Sequence, residues 1–360
     1  MAFDAKWEDY QRMSLRFAWS LNGTGLLAAA HAFAGFGRRY AQERDSLPQT
    51  DADRAFHLVA EATELIDYQL PFATDEEAET IISRGHQMLE EAISLDPQCH
   101  DAIRMDEAAR CPSFESYYNF LLEHEPEVRA RCAEARAATQ DDDSPERAEM
   151  AAQLAMWPHL RWLAMLASKA LICGRNREAL RFCNDLLTLD PSDVADARYT
   201  AALAYAKLED EQGLDQLEAR CRMLPHAQAG NDAWTLIARL ALAHRRRDLP
   251  RARQFIAKII ETYPQALVLL ARQRELPDGV FARLAVPPFS EDELVIAMSE
   301  ATVLTQEGRD SLGRGALGSW LLQECLSRAT RKELDELRDT IEGMNAPFGP
   351  NGLKPEGGPR

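Results

Sequence analysis

The sequence predicts an all-α fold, an α-solenoid of antiparallel helix pairs with an irregular helical N-terminal part. Apolar residues recur every three or four positions along most of the 360-residue chain, which is the period of an amphipathic helix. Apolar runs such as "ALVLLARQ" (266–273) sit inside longer patterns of that period, and no run has convincing strand character. Several helical patterns also end at a polar residue and a proline, after which a new helical pattern begins.

The boundaries of the helices follow from this periodicity and from turn residues. The predicted segments are 4–19, 24–43, 51–69, 75–95, 98–110, 113–123, 125–138, 145–156, 158–173, 176–189, 193–208, 211–223, 231–246, 250–262, 290–307, 315–328 and 330–343. In the acidic stretch "DDDSPERAE" (141–149), Ser144 is a predicted N-cap and Pro145 a first helical residue.

This stretch is also the predicted domain boundary. It separates an N-terminal helical region (1–140), with a degenerate half repeat near 75–97, from a repeat domain with capping helices (145–344). Eight of the fourteen residues from Pro347 to Arg360 are Pro or Gly, so the tail over 345–360 is predicted to be disordered.

Composition and charge limit the class of function. The net charge of −17 argues against nucleic acid and anionic membranes as partners, because phosphate would be repelled over most of the surface. Seven scattered cysteines without a CxxC pair are typical of reduced thiols in a cytoplasmic protein. The low-charge stretch 17–37 is too weakly apolar to predict a transmembrane helix, and the charged N-terminus argues against a signal peptide.

Three stretches share the helix–proline–helix punctuation: "EEAISLDPQCHDA", "FCNDLLTLDPSDVADA" and "AKIIETYPQALVL". Proline cannot continue a helix but fits its first turn, so Pro97, Pro191 and Pro264 predict tight helix-to-helix turns. With Pro191 at position 32 of a 34-residue unit, the turn position falls on Gly174 and the small residue at the helix crossing on Ala179. Ala252 takes the same crossing position in a later unit. On these residues the chain resembles a tetratricopeptide-repeat protein over about 158–270.

A closer resemblance extends over about 175–322. The order of "CNDLLTLDPSDVADARYTAALAYAKLED", "DAWTLIARLALAHRRRDLPRARQFIAKIIETYP" and "PFSEDELVIAMSEATVLTQEGRDSLGRGALGSWL" is similar to the suppression-of-tumorigenicity-7-like repeat proteins, including the Gly-Ala-Leu-x-x-Trp-Leu element at 315–321. The departures are the "HRRR" turn and the first 150 residues, which match no family pattern. The resemblance implies a role in protein interaction and supplies no catalytic residues.

Other motifs give weaker signals. Metal ligation by His86, Cys99, His100 and Cys111 is disfavoured because zinc ligands come in spaced pairs, and Cys99 and His100 are adjacent. The glycines of "GTG", "GFG" and "GRG" lack the strand–turn–helix setting of a phosphate loop. The sequence therefore predicts neither a metal nor a cofactor.

One predicted face could bind a ligand. The positions that line the concave groove of such repeats place three arginines together, and these arginines suit an acidic-hydrophobic peptide or a chain terminus. The alternative is that they pair with neighbouring glutamates. The predicted groove residues are Arg161, Ser168, Leu171, Arg198, Tyr205, Arg239 and Leu242.

Two functions remain open. The first is a non-enzymatic scaffold or adaptor that binds a protein segment in the groove. The second is an enzyme with a site in the first 150 residues, where Tyr117, Tyr118, His124 and the carboxylates of "ATDEEAET" (73–80) could gather. The sequence indicates neither the partner nor the oligomeric state.

Overall fold

The computed structural model describes residues 4–70, 73–139, 144–224, 231–272, 286–308 and 315–338. These residues form helices, turns and loops, and no strand occurs among them, which confirms the all-α class. The described chain divides into a first unit that ends at Thr200 and a second unit that begins at Ala201. The tail predicted to be disordered, 345–360, lies outside the described residues.

The first unit contains nine helices in its described part, together with a 3₁₀ turn at Arg44–Ser46 and a π-helical turn at Glu64–Gln69. The helices are α1 (Ala5–Ser20), α2 (Leu26–Ala34), α3 (Phe36–Glu43), α4 (Asp51–Thr63), α5 (Asp75–Leu95), α6 (His100–Arg110), α7 (Phe114–Ala138), α8 (Pro145–Ile172) and α9 (Asn176–Leu189).

Helix α10 (Ala197–Lys207) begins in the first unit and ends in the second. The helices that follow it are α11 (Glu211–Cys221), α12 (Ala233–Arg245), α13 (Leu249–Thr262), α14 (Ala266–Ala271), α15 (Glu291–Glu300), α16 (Thr302–Thr305), α17 (Ala316–Leu326) and α18 (Arg331–Glu336).

Local sequence explains where several helices begin and end. Ser144 caps α8 by accepting the N–H of Arg147, and Pro145 is the first helical residue, as predicted. Helices α5 and α9 end at Asp96 and Asp190, directly before Pro97 and Pro191. In both turns the aspartate side chain accepts the backbone N–H two residues later, over 3.0 Å and 3.1 Å. Helix α13 likewise stops before Pro264.

Three helix pairs close with the same turn: α8–α9, α10–α11 and α12–α13, called here the helical hairpins. The turn residues Gly174, Glu209 and Arg247 all have a left-handed backbone. In each turn the next residue donates its N–H to the carbonyl five residues earlier, over 2.8–3.0 Å. The glycine turn was predicted from sequence, whereas the other two use residues that rarely take this conformation.

Each hairpin has a small residue in the first turn of its second helix. Ala179 on α9 and Ala252 on α13 are fully buried, which confirms their predicted burial. Both follow the left-handed turn residue by five positions, and in the middle hairpin that position is the fully buried Leu214, with Gly213 directly before it. A Cβ at Gly213 would lie 2.3 Å from the ring of Tyr205, so only glycine fits there without a shift.

In the second unit, helix α12 is buried among other helices. Every residue from Asp232 to Ala243 is buried, and the helix packs against α13, α15 and α17. Glu293 on α15 fastens this arrangement by accepting the Ala233 N–H at 3.0 Å and the Tyr263 hydroxyl at 2.5 Å. Gly315 lies so close to Glu307 that a Cβ would meet its carbonyl oxygen at 2.1 Å.

Some predicted helix boundaries are wrong. The segments 113–123 and 125–138 form one helix through Pro126, and 145–156 and 158–173 form another through Pro158. A proline inside a helix removes only one backbone hydrogen bond, because it has no N–H to donate. At Pro158 the carbonyl left without that donor belongs to Leu154, and it lies 3.5 Å from the guanidinium of Arg12.

Two further boundaries differ from the prediction. The segment 24–43 forms two helices, α2 and α3, that meet at Gly35. The segment 193–208 becomes helical only at Ala197, because Asp193 and Asp196 have left-handed backbones. The predicted domain boundary at 141–149 falls between α7 and α8, which pack against each other within the first unit.

Candidate protein-binding surfaces

Arg161, the first predicted groove residue, lies in a buried ion-pair cluster of the first unit. From α8 its guanidinium donates to Glu8 of α1 at 2.5 Å and to both carboxylate oxygens of Asp101 of α6, at 2.7 Å and 2.5 Å. Arg12 donates to the other oxygen of Glu8 at 2.7 Å. Phe56 of α4 lies beneath the guanidinium groups of Arg12 and Arg161. This cluster ties α1, α6 and α8 together.

The cluster lowers the pKa of Asp101. Burial alone raises the pKa of Asp101, but Arg161 and, more weakly, Arg104 outweigh burial and hold that pKa well below the ordinary value of 3.8. The Glu8 side chain is fully buried. Asp101 is therefore a charged group that depends on the arginine beside it.

The other two predicted groove arginines also have carboxylate partners. Arg198 is buried and contacts Asp193 at 2.6 Å and Asp196 at 2.9 Å. In the second unit, Arg239 donates to Glu218 at 2.7 Å and to Asp215 at 2.5 Å. Asp215 is 62% exposed at its side chain, so the Arg239 contacts are far more hydrated than those of Arg161.

The prediction that all seven groove residues are accessible is wrong. Arg198, Leu171 and Leu242 are buried, and the three arginines pair with acidic side chains of the same chain. The alternative hypothesis expected neighbouring glutamates on a solvated face, whereas Arg161 pairs with acids distant in sequence and Arg198 with buried aspartates. Tyr205 packs on Gly213 and is half-buried, as is Ser168.

Three side chains of the hypothetical N-terminal catalytic group, those of Tyr117, Tyr118 and His124, each have a hydrogen-bond partner in the described chain. The Tyr117 hydroxyl donates to the carbonyl of Arg104, and the Tyr118 hydroxyl donates to Glu178, each over 2.9 Å. The Nδ1 atom of His124 lies 2.9 Å from the carbonyl oxygen of Phe120. These three side chains therefore have separate partners. In the described ranges, no three His, Cys, Asp or Glu side chains are arranged to hold a metal ion.

Sequence reasoning missed an exposed apolar helix. Helix α2, "LLAAAHAFA", contains no Asp, Glu, Lys or Arg, and most of its described side chains are exposed. Leu27 is 87% exposed and Phe33 is 41% exposed. We call the exposed side chains of α2 from Leu27 to Ala34, with Trp7 of α1, the α2 face.

A ladder of aromatic rings holds the α2 face in place. Phe33 stacks on Phe36 with ring centroids 5.6 Å apart, Phe36 contacts Tyr10 at 5.3 Å, and Tyr10 stacks on Trp7 at 5.3 Å. Phe36 is buried, whereas Trp7 is 55% exposed. The ladder therefore anchors α2 and α3 on α1 and leaves apolar surface at both of its ends.

The basic residues beside this face lack strong partners. Arg38 and Arg39 follow α2 directly on α3, and both are exposed. Arg39 makes two long contacts of 3.4 Å with Ser46 and lies over the Phe17 ring, and Arg38 makes no ion pair within the described chain. The signal in the sequence is the run 17–42, which has two arginines but no Asp or Glu.

Comparisons with models of known protein families, with curated proteins and with solved structures find no match to this chain. The resemblances to tetratricopeptide and suppression-of-tumorigenicity-7-like repeats therefore stay predictions. Within the described residues, no helix is both long enough and apolar enough to cross a membrane.

Proposed function

We propose that the protein is a non-enzymatic scaffold or adaptor whose helical hairpins form a tetratricopeptide-like solenoid, and that it binds a segment of a partner protein on the α2 face. The exposed apolar helix α2 carries this proposal. The recurrent left-handed turn of the three hairpins supports the repeat architecture, because repeated helix pairs with one turn geometry are the units of such arrays.

The surroundings of α2 explain why a partner is expected. A helix that is apolar all round is normally buried, and contiguous exposed apolar surface marks interaction sites. Covering Leu27 and completing the burial of Phe33 would contribute on the order of 2–4 kcal/mol, since fully burying one such side chain contributes about 1.5–3 kcal/mol. Helix α2 is thus a binding determinant that a partner can cover without unfolding anything.

The α2 face is a better binding site for a partner than the predicted arginine groove. A ligand that used Arg161 or Arg198 would have to displace buried carboxylates already bonded to them. Separating such pairs costs several kcal/mol. The α2 face requires no such displacement.

Site-specific photo-crosslinking in the native cells tests this function. A photoreactive residue replaces Ala30 on α2 in one version of the full chain, and Gln216, an exposed residue of α11, in a matched control. We expect the Ala30 version to crosslink to a segment of another protein that the Gln216 version does not capture. Crosslinking at Ala30 only to lipid, only to a second copy of this chain, or to nothing would overturn the proposal.

A further inference from the structure

The charge around the α2 face differs from that of the whole chain. The chain carries 58 acidic residues against 41 Lys and Arg, yet residues 17–42 contain no acidic residue and two arginines. The Arg39 guanidinium lies 5.6 Å from the centroid of the Phe17 ring, and the Phe17 ring lies 6.0 Å from that of Phe33 on the α2 face. Arg38 directly precedes Arg39 on α3. The apolar surface and the two cations are therefore neighbours.

We infer that the α2 face recognises an amphipathic helix of a partner protein that is apolar along one side and carries carboxylates at the end that lies over α3. This inference rests on the proposed protein-binding function and names the chemistry of the partner. Apolar side chains of the partner pack on Leu27, Ala30 and Phe33, and its carboxylates pair with Arg38 and Arg39. Arginine forms two parallel hydrogen bonds with a carboxylate, which fixes the orientation of the bound helix.

The size of the face favours one helix over a second copy of the chain. A helix of nine residues is about 14 Å long and about 10 Å across, which matches a single partner helix of about three turns. A stable dimer buries about 800 Å² of accessible surface on each partner, which is more than one side of a nine-residue helix presents.

The net charge disfavours a lipid surface. A planar anionic bilayer would bring the acidic surroundings of α2 within reach of its headgroups, and the whole chain has a net charge of −17. A peptide helix contacts the face alone. The first acidic residues after the arginines are the exposed Glu43 and Asp45, four and six residues after Arg39. The positive potential of Arg38 and Arg39 is therefore strongest over the start of α3, next to α2.

Two synthetic peptides of opposite charge test the inference on the full chain. Both have about 18 residues, or five helical turns, with Leu and Ala on one side and either Glu or Lys at one end. We expect the Glu peptide to bind about tenfold more tightly than the Lys peptide in fluorescence anisotropy, which is the scale of two exposed ion pairs. The preference should shrink as salt rises from about 0.1 M to about 1 M, because the Debye length falls from about 10 Å to about 3 Å.

Charge reversal supplies the matched control. The Arg38→Glu/Arg39→Glu variant, checked by circular dichroism for an unchanged fold, should reverse the preference, whereas an Arg220→Glu variant on exposed α11 should keep it. Equal binding of the two peptides, or an unchanged preference in the Arg38/Arg39 variant, would overturn the inference. If neither peptide binds while the Ala30 crosslink still captures a protein segment, the inference is wrong and the proposed function stands.

Discussion

The arginines of the helical hairpins and the arginines of α3 have opposite surroundings. Arg161 lies between Glu8 and Asp101, two acids brought to it from other helices, and Arg198 is buried beside Asp193 and Asp196. Arg38 and Arg39 are exposed next to an apolar helix and have no carboxylate partner within the described chain. An arginine beside apolar surface therefore stabilises the fold where carboxylates of the same chain pair with it. Where no such carboxylate is near, the arginine is available to bind a ligand.

The largest expected difference between the two groups is in stability. Arg161→Met leaves the buried Asp101 without its main cation and removes one of the two arginines that contact Glu8, so we expect a loss of about 3–5 kcal/mol in the free energy of unfolding. Arg38→Met, the matched exposed substitution, should change it by less than about 0.5 kcal/mol. Urea denaturation of the full chain measures both. Equal midpoints for the two variants would show that burial does not distinguish these arginines.

A second stability prediction concerns the close contact between Gly213 and Tyr205 in the middle hairpin. Gly→Ala in a helix usually stabilises it by up to about 1 kcal/mol, but Gly213→Ala puts a methyl group into the ring of Tyr205. We expect a loss of about 1–3 kcal/mol instead. In a Tyr205→Ala background the loss should shrink, since the ring is gone and only the Asp210 carboxylate, 2.7 Å from the added methyl group, still obstructs it. A stabilising Gly213→Ala with Tyr205 intact would contradict the hairpin geometry.

The pH dependence of stability tests whether Arg161 controls the pKa of Asp101. In the wild type the folded pKa of Asp101 lies below the unfolded value, so its contribution is present above about pH 4 and is lost as pH falls further. Without Arg161, burial becomes the dominant influence and raises the pKa of Asp101 above its ordinary value. The Arg161→Met variant should then gain stability, by about 1 kcal/mol, as pH falls from about 7 to about 5. Urea midpoints that are flat over this range in the variant would refute this account.

Substitutions on the α2 face should have the smallest effect on folding. Leu27→Gln and Ala30→Gln replace exposed side chains, so we expect changes of less than about 0.5 kcal/mol in the free energy of unfolding. Both should nevertheless weaken partner binding, because they place amides on the surface that the partner covers. A marked loss of stability in either variant would mean that α2 is part of the folded core.

Local signals in the sequence predicted much of the fold. The ends of α5, α9 and α13 follow from the proline that comes shortly after each helix, and the burial of Ala179 and Ala252 follows from their common position twelve residues before a proline. These features depend on neighbours in the chain. The left-handed turns at Glu209 and Arg247 escaped prediction because tertiary packing imposes them on residues that do not favour them.

The binding surfaces were harder to predict because they depend on contacts distant in sequence. Arg161 meets Glu8 and Asp101, which are 153 and 60 residues away, and no periodic pattern records such a pairing. The exposure of α2 is equally non-local, since an apolar helix is ordinarily buried and only the folded chain shows which helices cover it. The acid-free run 17–42 was visible in the sequence, but its meaning depends on that exposure.

Hydrogen–deuterium exchange of the full chain, with and without the Glu peptide, tests most directly whether ligands bind the α2 face or the hairpin arginines. Bound peptide should slow amide exchange in residues 26–43, which form α2 and α3, and leave exchange in 160–171 and 198–205 unchanged. Slower exchange confined to 160–171 and 198–205, with α2 and α3 unaffected, would contradict the account and return the binding site to the arginine groove.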